Sequence, residues 1–283
     1  MSAAEKRPLG ILGKNAWPPL VVALAVIGLA ITALASGSGN AILERAAKVT
    51  AQQDSYRFEF EQTAGARGQT VSGLSMKGLY DRSSGLSRVT LGFGGQAGSN
   101  ECTIVSSDDY WYVQIPEDRR AAISAGKEWI RTAPLASSPA QGLASTPAEG
   151  ESIVDLDVVD DLIQVGSEAV RGVDTTHYRG DFDLGASLQS AANPLSGELL
   201  KRLKIPDKVP VDFWIDEDDL IRRTSYSFGV PSGPVTVETM LRYENFDFGV
   251  KETVQQPPDD QVHIGLQIPG FTACLVPVTP FDR

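Results

Sequence analysis

Histidine and cysteine are scarce. Two of each occur in 283 residues, which leaves little material for a zinc site or a histidine-based catalytic triad. Basic residues are also in deficit: 25 Lys and Arg stand against 36 Asp and Glu, a formal net charge of −11. A nucleic-acid binder ordinarily carries a basic face, so this deficit argues against one. No repeat of fixed period is evident, which excludes solenoids and propellers. What the chain does have is ordinary: 42% hydrophobic and 22% charged residues. That composition excludes wholesale disorder and a multi-span membrane protein.

The acidic average hides a different N-terminus. Lys6, Arg7 and Lys14 precede an uncharged stretch from Asn15 to Leu43, with an apolar centre from Leu20 to Ala35. Basic residues ahead of such a run stay on the cytoplasmic side, so the chain beyond the run is exported. Ala33-Leu34-Ala35 fits a small-residue cleavage site. The run is at the short limit of an uncleaved anchor, which Trp17, Pro18 and Pro19 could extend at the interface. Residues 1–35 are therefore read as a signal peptide or a membrane anchor, and both readings stay open. Either way the location is extracytoplasmic. Disulfides persist there, so Cys102 and Cys274 are a candidate pair; two separate buried thiols are the alternative.

Past residue 41 the pattern turns helical, then strand-like. Ile42, Leu43, Ala46, Ala47, Val49 and Thr50 share a helical face. Tyr56, Phe58 and Phe60 then alternate with Arg57, Glu59 and Glu61, as a half-buried strand requires. Further strands are expected over 73–80, 87–93, 110–115, 164–173, 175–184, 211–216, 220–228 and 236–246. Helices are expected over 152–162 and about 186–203, and a long loop over 131–150. The chain is thus α+β: a large, mainly antiparallel sheet with helices inserted between strands and packed on one face.

Motifs for chemistry are thin. Ser124-Ala125-Gly126-Lys127 matches S-x-x-K, but no K-T-G accompanies it, and a turn is the simpler reading. Asp216-Glu217-Asp218-Asp219 could offer oxygens to Ca²⁺, yet lacks the spacing of an EF-hand and reads as a hairpin turn. Asp155, Asp157, Asp160 and Asp161 fit the wet side of a helix. His177 and His263 have no obvious catalytic neighbours. No catalytic residue, metal site or cofactor is expected. The aromatic residues Tyr56, Phe58, Phe60, Trp111, Trp129, Phe213 and Phe246 are either core or the wall of an apolar cavity.

Four stretches together carry a family resemblance. They are Lys127-Glu128-Trp129-Ile130 after Tyr110-Trp111-Tyr112-Val113, and Val165 to Val173 leading into Thr175 to Gly180. The others are Val209 to Asp216 followed by Leu220-Ile221-Arg222-Arg223, and Phe246-Asp247-Phe248-Gly249 before Pro257-Pro258. Over about residues 42–260 the chain resembles the actinobacterial LppX/LprG-type proteins, within the LolA/LolB-like superfamily of lipoprotein and lipid carriers. That resemblance implies a strongly curved antiparallel half-barrel with helices over its concave face. It also implies an apolar cavity between sheet and helices that holds acyl chains, and no catalysis. Candidate lining residues are Tyr56, Phe58, Phe60, Trp111, Trp129, Phe213, Leu199 and Leu203. Residues 36–283 are then one LolA-like domain, with a tail from about 259 that runs beyond the family's usual end. Many relatives carry a lipid-bearing Cys after the apolar segment; Ala35-Ser36-Gly37-Ser38 has none. The expected partners are a lipid or lipidated ligand, the membrane through the N-terminal segment, and an envelope protein, with no nucleic acid. The rival reading is a cell-surface interaction or regulatory module with the cavity closed.

Overall fold

The computed structural model describes residues 41–66, 69–93, 101–107, 109–132, 159–184, 186, 206–232 and 234–264. Among these residues helix α1 (Ala41–Ala51) comes first. Among the described residues twelve strands follow it: β1 (Ser55–Ala66), β2 (Gln69–Asp81), β3 (Leu86–Phe93), β4 (Glu101–Ser106), β5 (Trp111–Gln114), β6 (Trp129–Thr132), β7 (Val159–Val170), β8 (Val173–Asp183), β9 (Lys208–Asp216), β10 (Ile221–Ser232), β11 (Val235–Phe246) and β12 (Val262–Ile264). They form one sheet in the order β12-β6-β5-β4-β3-β2-β1-β11-β10-β9-β8-β7. Every neighbouring pair is antiparallel except β12 and β6.

Alternation in the sequence assigns the two faces. In β1, Tyr56, Phe58, Phe60, Gln62 and Ala64 are buried, while the residues between them are half-buried. The register carries this face across the sheet, opposite Tyr80, Gly78 and Met76 in β2 and Asn245, Tyr243, Leu241 and Thr239 in β11. Leu43, Ala46 and Ala47 of α1 join the same apolar cluster, so the helix packs on this first face. Glu44, Arg45 and Lys48 point to solvent, as the helical spacing requires.

The second face has two parts. Over β2–β6 it is apolar, with Leu79, Leu86, Val105 and Tyr112 clustered with Val254 and Val262. The chain after β11 supplies that cover. Ser55 Oγ donates to Val250 O at 2.7 Å, and Glu252 receives Arg57 at 2.5 Å and also Arg88. The segment then enters β12 beside β6. Over β1 and β7–β11 the same face is charged and carries interlocked ion pairs.

Several expectations need correction. Residues 159–162, expected to end a helix, begin strand β7; Asp160 and Asp161 therefore lie on a sheet edge, and Asp155 and Asp157 lie outside the described residues. Val159, Leu162 and Ile163 suit either element, so spacing did not separate them. Strands β4 and β6 were not foreseen, being short and flanked by glycine-rich or polar sequence. The sheet also reaches past Pro258, because Val262–Ile264 pairs with Trp129–Arg131 in parallel. The helix expected near 186–203 lies outside the described residues, apart from residue 186.

Candidate functional site

The first face is the candidate site. Across β1–β6 and β8–β11 its buried residues form one cluster that includes Tyr56, Phe58, Phe60, Met76, Leu91, Ile104, Trp111, Val113, Val211, Phe213, Ile215, Tyr226, Phe228 and Leu241. No Asp, Glu, Lys or Arg falls at the register positions of this face in β1, β11, β10 and β9. A ladder of rings crosses it. Tyr56 lies 5.3 Å from Tyr80 and 5.6 Å from Phe248, Phe58 stacks on Tyr243 at 5.8 Å, and Phe182 meets Tyr226 edge-on at 5.4 Å. Burial pushes the Tyr56, Tyr226 and Tyr243 phenols up, so they stay protonated.

Five of the expected lining residues come together here: Tyr56, Phe58, Phe60, Trp111 and Phe213. Trp129 does not. It pairs with Gln114 in β5 and packs with Leu79, Val105 and Tyr112 on the second face. Its place in a four-residue strand, one position from Ile130, fixes that side by the strand's period of two. Phe246 is likewise turned away and lies under the Arg171 guanidinium at 3.8 Å. Leu199, Leu203 and Cys274 lie outside the described residues, while Cys102 is buried in β4.

Polar atoms on the first face stand out against this background. Gln62 Nε2, Tyr226 Oη, Thr239 Oγ1 and Asn245 Oδ1 are buried and have no hydrogen-bond partner among the described residues. Sequence reasoning missed these four; the signal was a polar residue at an inward position of a regular alternation.

The other candidates resolve into structure. Ser124 Oγ lies 3.0 Å from Arg120 O and also against Lys127 O, whereas Lys127 Nζ donates to Asp260 O at 2.5 Å. Nucleophile and base are thus not paired, and Ala125 and Gly126 have the positive φ of a turn. Asp216 Oδ1 accepts from the Asp218 and Leu220 amides at 3.0 and 2.8 Å, Arg222 reaches Asp216 Oδ2 at 2.6 Å, and Asp219 pairs with Arg45 at 2.7 Å. Those carboxylates hold a hairpin and its contact with α1. Among the described residues no cluster of three or more metal-ligating side chains occurs. His177 Nε2 lies 2.7 Å from Asp212 Oδ1, and its ring stacks on Trp214 at 4.4 Å. A cavity of about 320 Å³ opens where Val170, Arg171 and Val173 meet Arg222 and Phe246.

No protein-family model matches the sequence. An uncharacterised 31.2 kDa protein from the rplA–rplJ intergenic region of Streptomyces griseus is 28% identical over 165 residues. That match covers 53% of this chain and 52% of the relative, so the chain spans about half the length of the curated relative it matches. Among solved structures, the Mycobacterium tuberculosis lipoprotein LppX is similar at 14% identity and a TM-score of 0.48, over 77% of this chain and all of that one. LprF from Mycobacterium bovis is similar at 14% identity and a TM-score of 0.40, over 76% of this chain and 95% of its own.

Proposed function

We propose that this chain is a non-enzymatic extracytoplasmic protein that binds or carries a lipid or lipidated molecule. The ligand lies against the first face of the sheet, in an apolar cavity closed by helices on its concave side. The width of that face carries the reading. Twelve strands span roughly 50 Å at the usual strand spacing. The residues of that face are buried from Phe213 in β9 to Ile104 in β4, and helix α1, at 11 residues about 16 Å long, supplies part of that cover. A broad uncharged surface rewards any apolar cover, since burial is non-directional and proportional to area.

Residues 1–35 deliver the chain to the envelope as signal peptide or anchor, and 36–283 form one LolA-like domain. Cys102 pairs with Cys274 and pins the C-terminal tail to β4. Native mass spectrometry and lipid extraction of the purified extracytoplasmic domain test the function. An apolar ligand that co-purifies or exchanges supports it; the absence of any such ligand sinks it.

A second reading, an interaction or regulatory module, is favoured by the edge strand β7. Ile163 and Val165 there are 61% and 48% exposed. An open edge with apolar side chains is a template for an added strand. A photocrosslinker at position 163 in membranes discriminates the two, since a pure carrier of lipid gives no defined protein adduct.

A further inference from the structure

The cavity of about 320 Å³ lies where the β7–β8 turn meets the first residues of β10 and the last of β11. Its volume is at the small end of the roughly 300–1,000 Å³ that ligand sites occupy, so it suits one small molecule. Its walls are of two kinds. Val170, Val173 and Phe246 are apolar; Arg171, Arg222 and Asp247 are charged. Each charge already has a counter-charge within the fold: Arg171 has Glu59 and Glu244, Arg222 has Asp216, and Asp247 has Arg57. The site as a whole is therefore close to neutral, and a ligand with a net charge would enter it uncompensated.

That balance leaves hydrogen-bonding capacity over. Arg222 spends Nε on Asp216 Oδ2 at 2.6 Å and lays its guanidinium over the Phe248 ring at 4.7 Å. Neither of its Nη atoms has a hydrogen-bond partner among the described residues. Arg171 spends Nε on Glu244 and Nη2 on Glu59, which leaves Nη1. Asp247 meets Arg57 through Oδ2 alone, at 3.4 Å, which leaves Oδ1. Both guanidiniums are held by a carboxylate and an aromatic ring, so they are positioned before any ligand arrives.

The leftover groups ask for opposite things. Guanidinium N–H groups recognise a carboxylate, and the free oxygen of Asp247 recognises a cationic donor. A zwitterion supplies both and keeps the site neutral. The apolar walls then meet the remainder of the molecule.

We propose that this cavity binds a small zwitterionic α-amino acid with an apolar side chain. Its carboxylate takes the free edges of Arg222 and Arg171, its ammonium faces Asp247, and its side chain lies among Val170, Val173 and Phe246. The site is independent of the lipid reading of the first face.

The test titrates the purified full chain by calorimetry with L-leucine, with 4-methylpentanoate, which lacks the ammonium, with 3-methylbutylamine, which lacks the carboxylate, and with inorganic phosphate. Leucine binds about tenfold or more tightly than either truncated analogue, and phosphate does not compete with it. Asp247→Asn is a mild change, because that side chain is 59% exposed and asparagine also tolerates the φ of 52°. In this variant the preference for leucine over 4-methylpentanoate falls below about threefold, while 4-methylpentanoate binds at least as well as before. Val173→Trp fills the cavity and abolishes leucine binding. Equal binding of leucine and 4-methylpentanoate to wild type overturns the proposal, as does tighter binding of phosphate. Leucine binding that both variants leave unchanged places the amino acid elsewhere and overturns it too. No saturable binding of any probe leaves the cavity to water and overturns the site, without touching the lipid reading.

Discussion

Arg171 in the β7–β8 turn donates to Glu59 in β1, although β11, β10 and β9 stand between β1 and β8 in the sheet. The contact requires the hairpin tip to fold back across the charged part of the second face. Arg171 and Gly172 both have positive φ, the requirement of a tight two-residue turn whose twist matches its strands. Once there, Arg171 also reaches Glu244 at 2.7 Å, and Arg223 reaches the other Glu244 oxygen at 2.8 Å. Glu244 is thereby the hub of the network. Burial pushes its carboxyl up, but hydrogen bonds from Arg171 and Arg223 outweigh that and hold it below the usual carboxylate range.

Removing the hub leaves several arginines without their shared acceptor. Glu244→Ala is expected to lower stability by about 2–3 kcal/mol. Arg171→Ala costs less, about 1 kcal/mol, because its side chain is more than a third exposed and water screens the pair. Urea unfolding of the two variants checks the order; equal losses would show that the network is not centred on Glu244.

The aromatic ladder depends on one glycine. Phe58 faces Gly78 across β1 and β2, and a Cβ at 78 would lie 2.2 Å from the ring. Phe58 therefore covers bare backbone on one side and stacks on Tyr243 on the other. Gly78→Val forces the ring out of this slot and is expected to cost about 1–3 kcal/mol. Thermal unfolding measures the loss, and Phe58→Leu in the same chain recovers part of it.

Much of this was legible beforehand. Tyr56, Phe58 and Phe60 showed their face through strict alternation, and Val211–Asp216 and Thr236–Phe246 showed theirs in the same way. Trp129, a candidate for the lining, packs on the second face instead, and a four-residue strand has too few residues to display a period in the sequence. The start of β7 carries no strand signal in the sequence because its buried and exposed positions do not alternate: the strand lies at the end of the sheet and has two register shifts. The buried unpaired polar residues of the first face went unseen for another reason. Gln62, Thr239 and Tyr226 look like ordinary strand residues, and only three-dimensional register places them on one face.

If Cys102 and Cys274 are bridged, the tail is covalently tied to β4. Non-reducing peptide mass spectrometry should then find one peptide holding both residues. Reduction or Cys102→Ser should lower the thermal midpoint, with a loss of about 2–5 kcal/mol in the chain-entropy account. Two unmodified thiols in the extracytoplasmic protein would refute the bridge.

Asp81 ties down the segment that leads into this tail, and its titration should be visible. Its Oδ1 accepts from the Ser83 amide at 3.0 Å and Ser83 Oγ at 2.6 Å. Its Oδ2 accepts from Ser84 Oγ at 2.9 Å and from the Val254 amide at 3.0 Å. Burial alone would raise the carboxyl, but these donors together hold it below its ordinary value. A carboxylate depressed in the folded state contributes stability above its unfolded pKa and loses it as pH falls through the folded one. The urea midpoint should therefore hold steady from neutral pH to about 4 and decline below it. Val254 sits in the cluster with Leu79, Leu86 and Tyr112, so its amide should lose exchange protection along with that decline. Asp81→Asn should flatten the acid slope and expose the Val254 amide even at neutral pH. A slope unchanged in Asp81→Asn would assign the acid sensitivity to Glu244 and Glu252 instead, both of which are also held below their ordinary values.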